Sequence, residues 1–320
     1  MNKINQKKLL NYIIAPLLLV LLLLLIYRQI ATRRSLQTEW ESFLQYFKNG
    51  NKSILLFILL LAPINWMLEA KKWQLLLSKI EPLPFSKAFA SILTGIAFAL
   101  ITPNKIGDFA GRILYLSNKS KLRGAIATLI GNLAQTVVVF IFGIIGLLCF
   151  NIYFPGNWQL VALLIALAGA SFLLYFYLNI HVLSKWAERF PKLRALVISM
   201  RVLKRYSTRD LLRILSIAFL RFCVYNLQFL MIINIFGAGV PWLLGFFISG
   251  LMFWFITVIP SLFVADLGVR GFVAGLLFTD TGLSENAVSV LAGSYSIWML
   301  NLVVPAVIGS ILVLSVRVFR

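Results

Sequence analysis

The chain has 320 residues, of which 61% are hydrophobic and 12% charged, where an ordinary soluble domain carries about 25% charged residues. The apolar residues come in long blocks without two-residue alternation, which excludes a soluble core and a membrane β-barrel and leaves spanning helices that satisfy their own backbone hydrogen bonds. A net charge of +20 would point to nucleic acid in a soluble protein, but here the basic residues lie between the blocks, where they orient spans and meet anionic headgroups.

In chain order, the first block is Leu9–Tyr27. It is longer than the apolar region of a signal peptide and is followed by Arg28, Arg33 and Arg34 in place of a small-residue cleavage site, so a retained first span is expected. Then come Ile54–Leu77, Phe85–Ile101, Gly124–Phe150, Trp158–Ile180, Leu211–Phe236, Trp242–Ile259 and Asn286–Val318. Two shorter apolar pieces, Phe109–Leu116 and Arg270–Phe278, each follow a charged, proline-containing interruption and are too short to span as simple helices. Near the end of the Ile54–Leu77 block, Glu69, Lys71, Lys72 and Trp73 read as an interfacial anchor.

Lys185–Arg213 holds nine Lys/Arg against Glu188 and Asp210, which by the positive-inside rule places it in the cytoplasm. Within this basic segment (185–210), residues 192–205 read as an amphipathic helix lying on the anionic leaflet, with Pro191 at its start. Asn151–Asn157, Gly237–Pro241 and Asp280–Glu285 carry no basic residue and read as external. The five basic residues of Arg28–Lys52 sit poorly with the external position that parity gives them. The same parity makes Phe85–Leu116 a hairpin entering from the cytoplasm and Trp242–Phe278 a hairpin entering from the opposite face.

The hairpin tips are Thr102–Asp108 (TPNKIGD) and Ile259–Arg270 (IPSLFVADLGVR). Pro103 and Pro260 are 157 residues apart, and that shift lays each block of the first half on one of the second. Residues 1–157 and 158–320 are therefore expected to form two inverted-topology repeats within a single transmembrane domain, about eight spans or hairpins in all. The first tip carries Lys105, Asp108 and Arg112, the second Asp266 and Arg270; in both, carboxylate and arginine are four apart, on one helical face. Charge at membrane depth is costly unless paired or facing water. These residues thus point either to interfacial side chains or to a polar site between two broken helices, with Gly107 and Gly268 beside the charges. Asn132 and Gln135 share a face of the Gly124–Phe150 block and either line that site or bond another helix. Gly107-x-x-x-Gly111 and Gly271-x-x-x-Gly275 have the spacing of close helix packing.

Catalytic signals are sparse. No Walker-type phosphate loop, serine-hydrolase elbow, zinc-protease helix or Cys/His metal cluster occurs, and ten acidic residues leave few candidates for acid–base work. Neither an enzyme, a metal nor a cofactor is expected.

TPNKIGDFAGRILYL resembles the Pro-x-x-x-Gly-Glu-x-x-x-Arg signature of the lysylphosphatidylglycerol synthase transmembrane region family, and IPSLFVADLGVRG resembles its second signature. That family includes the flippase part of bacterial multiple peptide resistance factors. The resemblance implies lipid handling, with Pro103, Gly107, Asp108, Arg112, Asp266, Gly268 and Arg270 at matching positions. Aspartate stands where glutamate is commoner, and the family's early Glu-Arg-x-x-Asp reads Gly131-Asn132-Leu133-Ala134-Gln135. No aminoacyl-transferase domain follows before Arg320, so lysyl-lipid synthesis is not expected.

The leading expectation is an all-α polytopic protein of the cell membrane, N-terminus cytoplasmic, that translocates a lipid or lipid-linked headgroup. Arg112 and Arg270 would hold an anionic headgroup, with Asp108 and Asp266 orienting them. Its partners would be membrane lipids and not nucleic acid, with oligomerisation left open. A small-solute carrier and a non-transporting partner in envelope-lipid or glycan assembly are the alternatives.

Overall fold

The computed structural model describes residues 52–102, 106–187, 194–259, 263–284 and 286–313, and every regular element among them is helical. The expected first span, and Pro103, Lys105 and Pro260, lie outside the described residues.

The chain runs α1 (Lys52–Leu77), α2 (Phe85–Ile101), α3 (Gly107–Ile113), α4 (Lys121–Tyr153) and α5 (Asn157–Leu178). Two short helices follow, α6 (His181–Ala187) and α7 (Arg194–Met200), then a 3-10 turn at Arg201–Arg205. The second half has α8 (Thr208–Ile235), α9 (Trp242–Val258) and α10 (Phe263–Ala274), which widens into a π-helical turn at Gly275–Thr279. Last come α11 (Ala287–Trp298), a second π-helical turn at Met299–Val303, and α12 (Val304–Val313). Five helical stretches are long and apolar enough to cross a membrane: α1, α4, α5, α8 and the continuous run Val288–Val313.

Local chemistry sets the ends. Ser207 caps α8 by accepting from the Asp210 amide at 3.2 Å while the Asp210 carboxylate accepts from the Ser207 amide at 3.1 Å, a reciprocal capping box. Thr102 finishes α2: its Oγ1 donates to Phe98 O at 3.0 Å and accepts from the Gly107 amide at 2.7 Å, drawing the start of α3 back onto α2. The two then pack antiparallel, Gly107 against Phe98 and Gly111 against Gly95. The expected close packing through Gly107 and Gly111 thus closes α3 onto its own neighbour. In the other glycine pair, Gly271 meets Tyr295 whereas Gly275 meets nothing.

Helices α2 and α9 are each 17 residues, and they begin 157 residues apart. A helix of that length rises about 25 Å, slightly short of a hydrocarbon core of about 30 Å. The longer α1 and α8 occupy matching positions and run antiparallel: Tyr206, just before α8, donates to Leu76 O at 2.6 Å, and Gln228 donates to Ile58 O at 2.9 Å. Packing is exchanged between halves. Helix α9 lies on α4, where Gly250 meets the Phe142 backbone, and α2 lies on α12, where Gly309 meets the Leu93 backbone. The apolar centre is aromatic, with the Phe142 ring centroid 4.6 Å from that of Phe222 in a tilted pair and 5.9 Å from that of Phe246, edge to face. Helix α5 stands apart, with 11% of its apolar window buried against 44–50% for the other four long stretches.

The continuous amphipathic helix expected over 192–205 is not seen. Its described part is a seven-residue helix and a 3-10 turn, and Val202, Leu203 and the following Tyr206 are buried in the protein core. The apolar stripe found protein partners: the Tyr206 bond to Leu76 O and an Arg205 bond to Lys79 O at 3.1 Å anchor the turn to the end of α1.

Candidate functional site

The interfacial anchor expected at Glu69 is instead the centre of a buried ionic cluster. Glu69 is 4% exposed, Lys72 1% and Trp73 fully buried. Glu69 Oε2 lies 2.7 Å from Lys72 Nζ, one turn on along α1, and 3.1 Å from Arg221 Nη1 on α8. Its Oε1 accepts from Arg112 Nη1 at 2.9 Å. Arg112 in turn gives its Nε to Asp108 Oδ1 at 2.7 Å, the i,i+4 pairing expected from the first tip. The Arg112 guanidinium also lies 5.7 Å from the centre of the Trp73 ring, within cation–π range. Lys72 is finished by Gly131 O at 3.3 Å, and Arg221 by the Gln135 side-chain oxygen at 2.9 Å. One carboxylate thus gathers cations from three helices, α1, α3 and α8. Such groups persist at depth because each is paired; alone, each would cost several kcal/mol.

The cluster borders a cavity of about 650 Å³. Arg112, Arg221 and Arg270 line it together with Asp108, Asn132 and Gln135. The rest of its lining is largely apolar and aromatic, including Phe222, Tyr225, Phe253 and Ile256. The structure therefore brings Asp108, Arg112, Asn132, Gln135 and Arg270 to one space, contributed by both halves of the chain. Lys105 falls outside the described residues. Asp266 lies on α10, four residues before Arg270, with its side chain outside those described. Gly107 is at the α2–α3 contact rather than at the cavity, and Gly268 is exposed with open space around it. Among the described residues, no group of His, Cys, Asp or Glu has the makings of a metal site.

Glu69 and Arg221 escaped sequence reasoning. The signal for Arg221 was present: it is a lone arginine well inside a spanning block, the kind of residue that is functional by default.

A second polar chain crosses the interior beside the cavity. Asn65 donates to the Asn301 side-chain oxygen at 2.7 Å, Asn301 to that of Gln228 at 2.7 Å, and Gln228 to Ile58 O. It ties α1 and α8 to the π-helical turn holding Asn301. Replacing Gln228 with Leu removes both of its bonds and leaves the Asn301 amide short of an acceptor. Interhelical hydrogen bonds in membranes average about 0.6 kcal/mol and reach about 1.7. The expected loss on thermal unfolding in detergent is about 1–3 kcal/mol, given two bonds and an orphaned donor.

These features define a polytopic α-helical membrane protein built around an internal cavity with a cationic wall. The sequence profile of the lysylphosphatidylglycerol synthase TM region matches residues 10–309. The chain belongs to that family. No curated protein matches it as a relative.

Proposed function

We propose that the protein is a translocase for lipids with anionic headgroups, working by alternating exposure of the central cavity. The observation that carries the reading is the cavity's mixed lining: arginines from α3, α8 and α10 together with aromatic and aliphatic residues such as Phe222, Tyr225, Phe253 and Ile256. A phospholipid has the same division, a phosphate and two chains. The matched α2 and α9, the antiparallel α1 and α8, and the exchanged packing of α2 on α12 and α9 on α4 support an inverted repeat. In such an arrangement the α2–α3 and α9–α10 pairs are hairpins entering from opposite faces, and rocking one half against the other exposes the site to each side in turn. The protein would reside in the cell membrane with its N-terminus in the cytoplasm, driven by a proton or lipid gradient or acting passively. No catalytic step is assigned to it.

The test uses purified protein in liposomes and a phospholipid with a fluorescent, anionic headgroup, read by an impermeant quencher. Wild type is expected to move the lipid well above the protein-free rate, and Arg270→Ala to slow it. Uptake of a soluble solute without lipid movement would establish the carrier reading instead, and no movement of either would leave the role of a membrane partner.

A further inference from the structure

Within that translocase reading, we propose that Arg221 is the residue that meets the headgroup phosphate, and that Arg112 is a positioning residue. This reverses the division of labour that the tip signature implies.

The first argument is exposure. In the cluster, the side chains of Lys72, Glu69 and Arg112 are 1%, 6% and 7% exposed, and Asp108 is 13% exposed. Arg221 is 29% exposed and lines the cavity. It is the one cation of the cluster with substantial surface left for a ligand.

The second argument is the use of donors. Arg112 spends Nε on Asp108 and Nη1 on Glu69, and its guanidinium lies near Trp73. Arg221 spends Nη1 alone, on both Glu69 and Gln135. Its Nε is buried with no hydrogen-bond partner, and no described residue takes Nη2. Nη2 is therefore the donor left for a phosphate oxygen, since Nε has no accessible surface to offer one.

The third argument is charge. The cluster holds Lys72, Arg112 and Arg221 against Glu69 and Asp108, one positive charge more than its carboxylates neutralise. A phosphodiester carries one negative charge. Aromatic side chains flank the spot: Phe222 follows Arg221 directly and Tyr225 lies one turn on, both on the cavity wall where a chain would lie.

The ligand chemistry is a phosphodiester monoanion, carried by a lipid or free as a soluble glycerol phosphodiester. The test measures binding of each to the full-length protein in nanodiscs, alongside lipid movement in liposomes, for wild type, Arg221→Lys and Arg221→Gln. Melting temperature establishes that each variant is folded. Arg221→Gln is expected to raise the half-saturating lipid concentration by roughly tenfold, the scale of one charge-assisted contact. Arg221→Lys should recover part of that, since the charge is kept and the planar guanidinium lost; it also carries the test if the Gln variant does not fold. Unchanged half-saturation in a folded Arg221 variant overturns the assignment. If wild type binds the lipid through Arg221 yet moves none, the translocase reading fails and the site stands. Binding of the soluble phosphodiester as strongly as the lipid, with the same dependence on Arg221, identifies a free headgroup as the ligand.

Discussion

Glu69→Gln should destabilise the protein by about 3–5 kcal/mol, the cost of leaving buried charge without its counter-ion. Glutamine keeps the shape and one acceptor but removes the charge shared by Lys72, Arg112 and Arg221. Asp108 still pairs with Arg112, so the loss falls on Lys72 and Arg221, and Lys72 is 1% exposed with only Gly131 O remaining. Thermal or denaturant unfolding in a mild detergent measures the effect. Combining Glu69→Gln with Lys72→Met should recover part of the stability, because the most deeply buried unpaired cation is then gone. A single variant as stable as wild type would refute the counter-ion role.

Gly111→Ala should cost about 1–3 kcal/mol by overpacking, although alanine is the better helix former. A Cβ at Gly111 would stand 2.6 Å from Gly95 Cα, 2.6 Å from Thr94 O and 2.7 Å from Gly95 N. All three are backbone atoms, so no side chain can swing aside and α3 must lift away from α2. That displaces Asp108 and Arg112, and lipid movement should fall with stability. Gly275→Ala is the matched control. It has open space around its Cβ position and should be neutral or slightly stabilising. Equal melting temperatures for the two alanine variants would show that the α2–α3 contact is not tight.

The extents of the apolar blocks place most helix bounds within three residues. The expected Phe85–Ile101 coincides with the observed helix, and Trp242–Ile259 ends one residue beyond the observed α9. Long apolar blocks are a one-dimensional signal, set by bilayer thickness, and survive without knowledge of neighbours. The ionic cluster is not of that kind. Glu69 lies 43 residues from Arg112 and 152 from Arg221, and beside Lys71 and Lys72 it looks like the usual polar end of a span. What decides its burial is the packing of α8, α2 and α4 against α1, with α3 folded back on α2 to bring Arg112 in, a tertiary fact. The 192–205 segment failed for a related reason: an apolar stripe records that a face will be covered, not whether lipid or protein covers it. Arg112 was found because its pairing with Asp108 is local, four residues along one helix.

The exchanged packing of the halves has a consequence for biosynthesis. Helix α2 is among the first described elements to leave the ribosome, yet the surface it rests on, α12, is among the last. Until α12 is made, α2 has no lasting neighbour on that side and must be tolerated by lipid or by the insertion machinery. Helix α9, by contrast, emerges to find α4 already made. The two contacts therefore mature in opposite order: α9 docks as it appears, and α2 is completed only once α12 has been made.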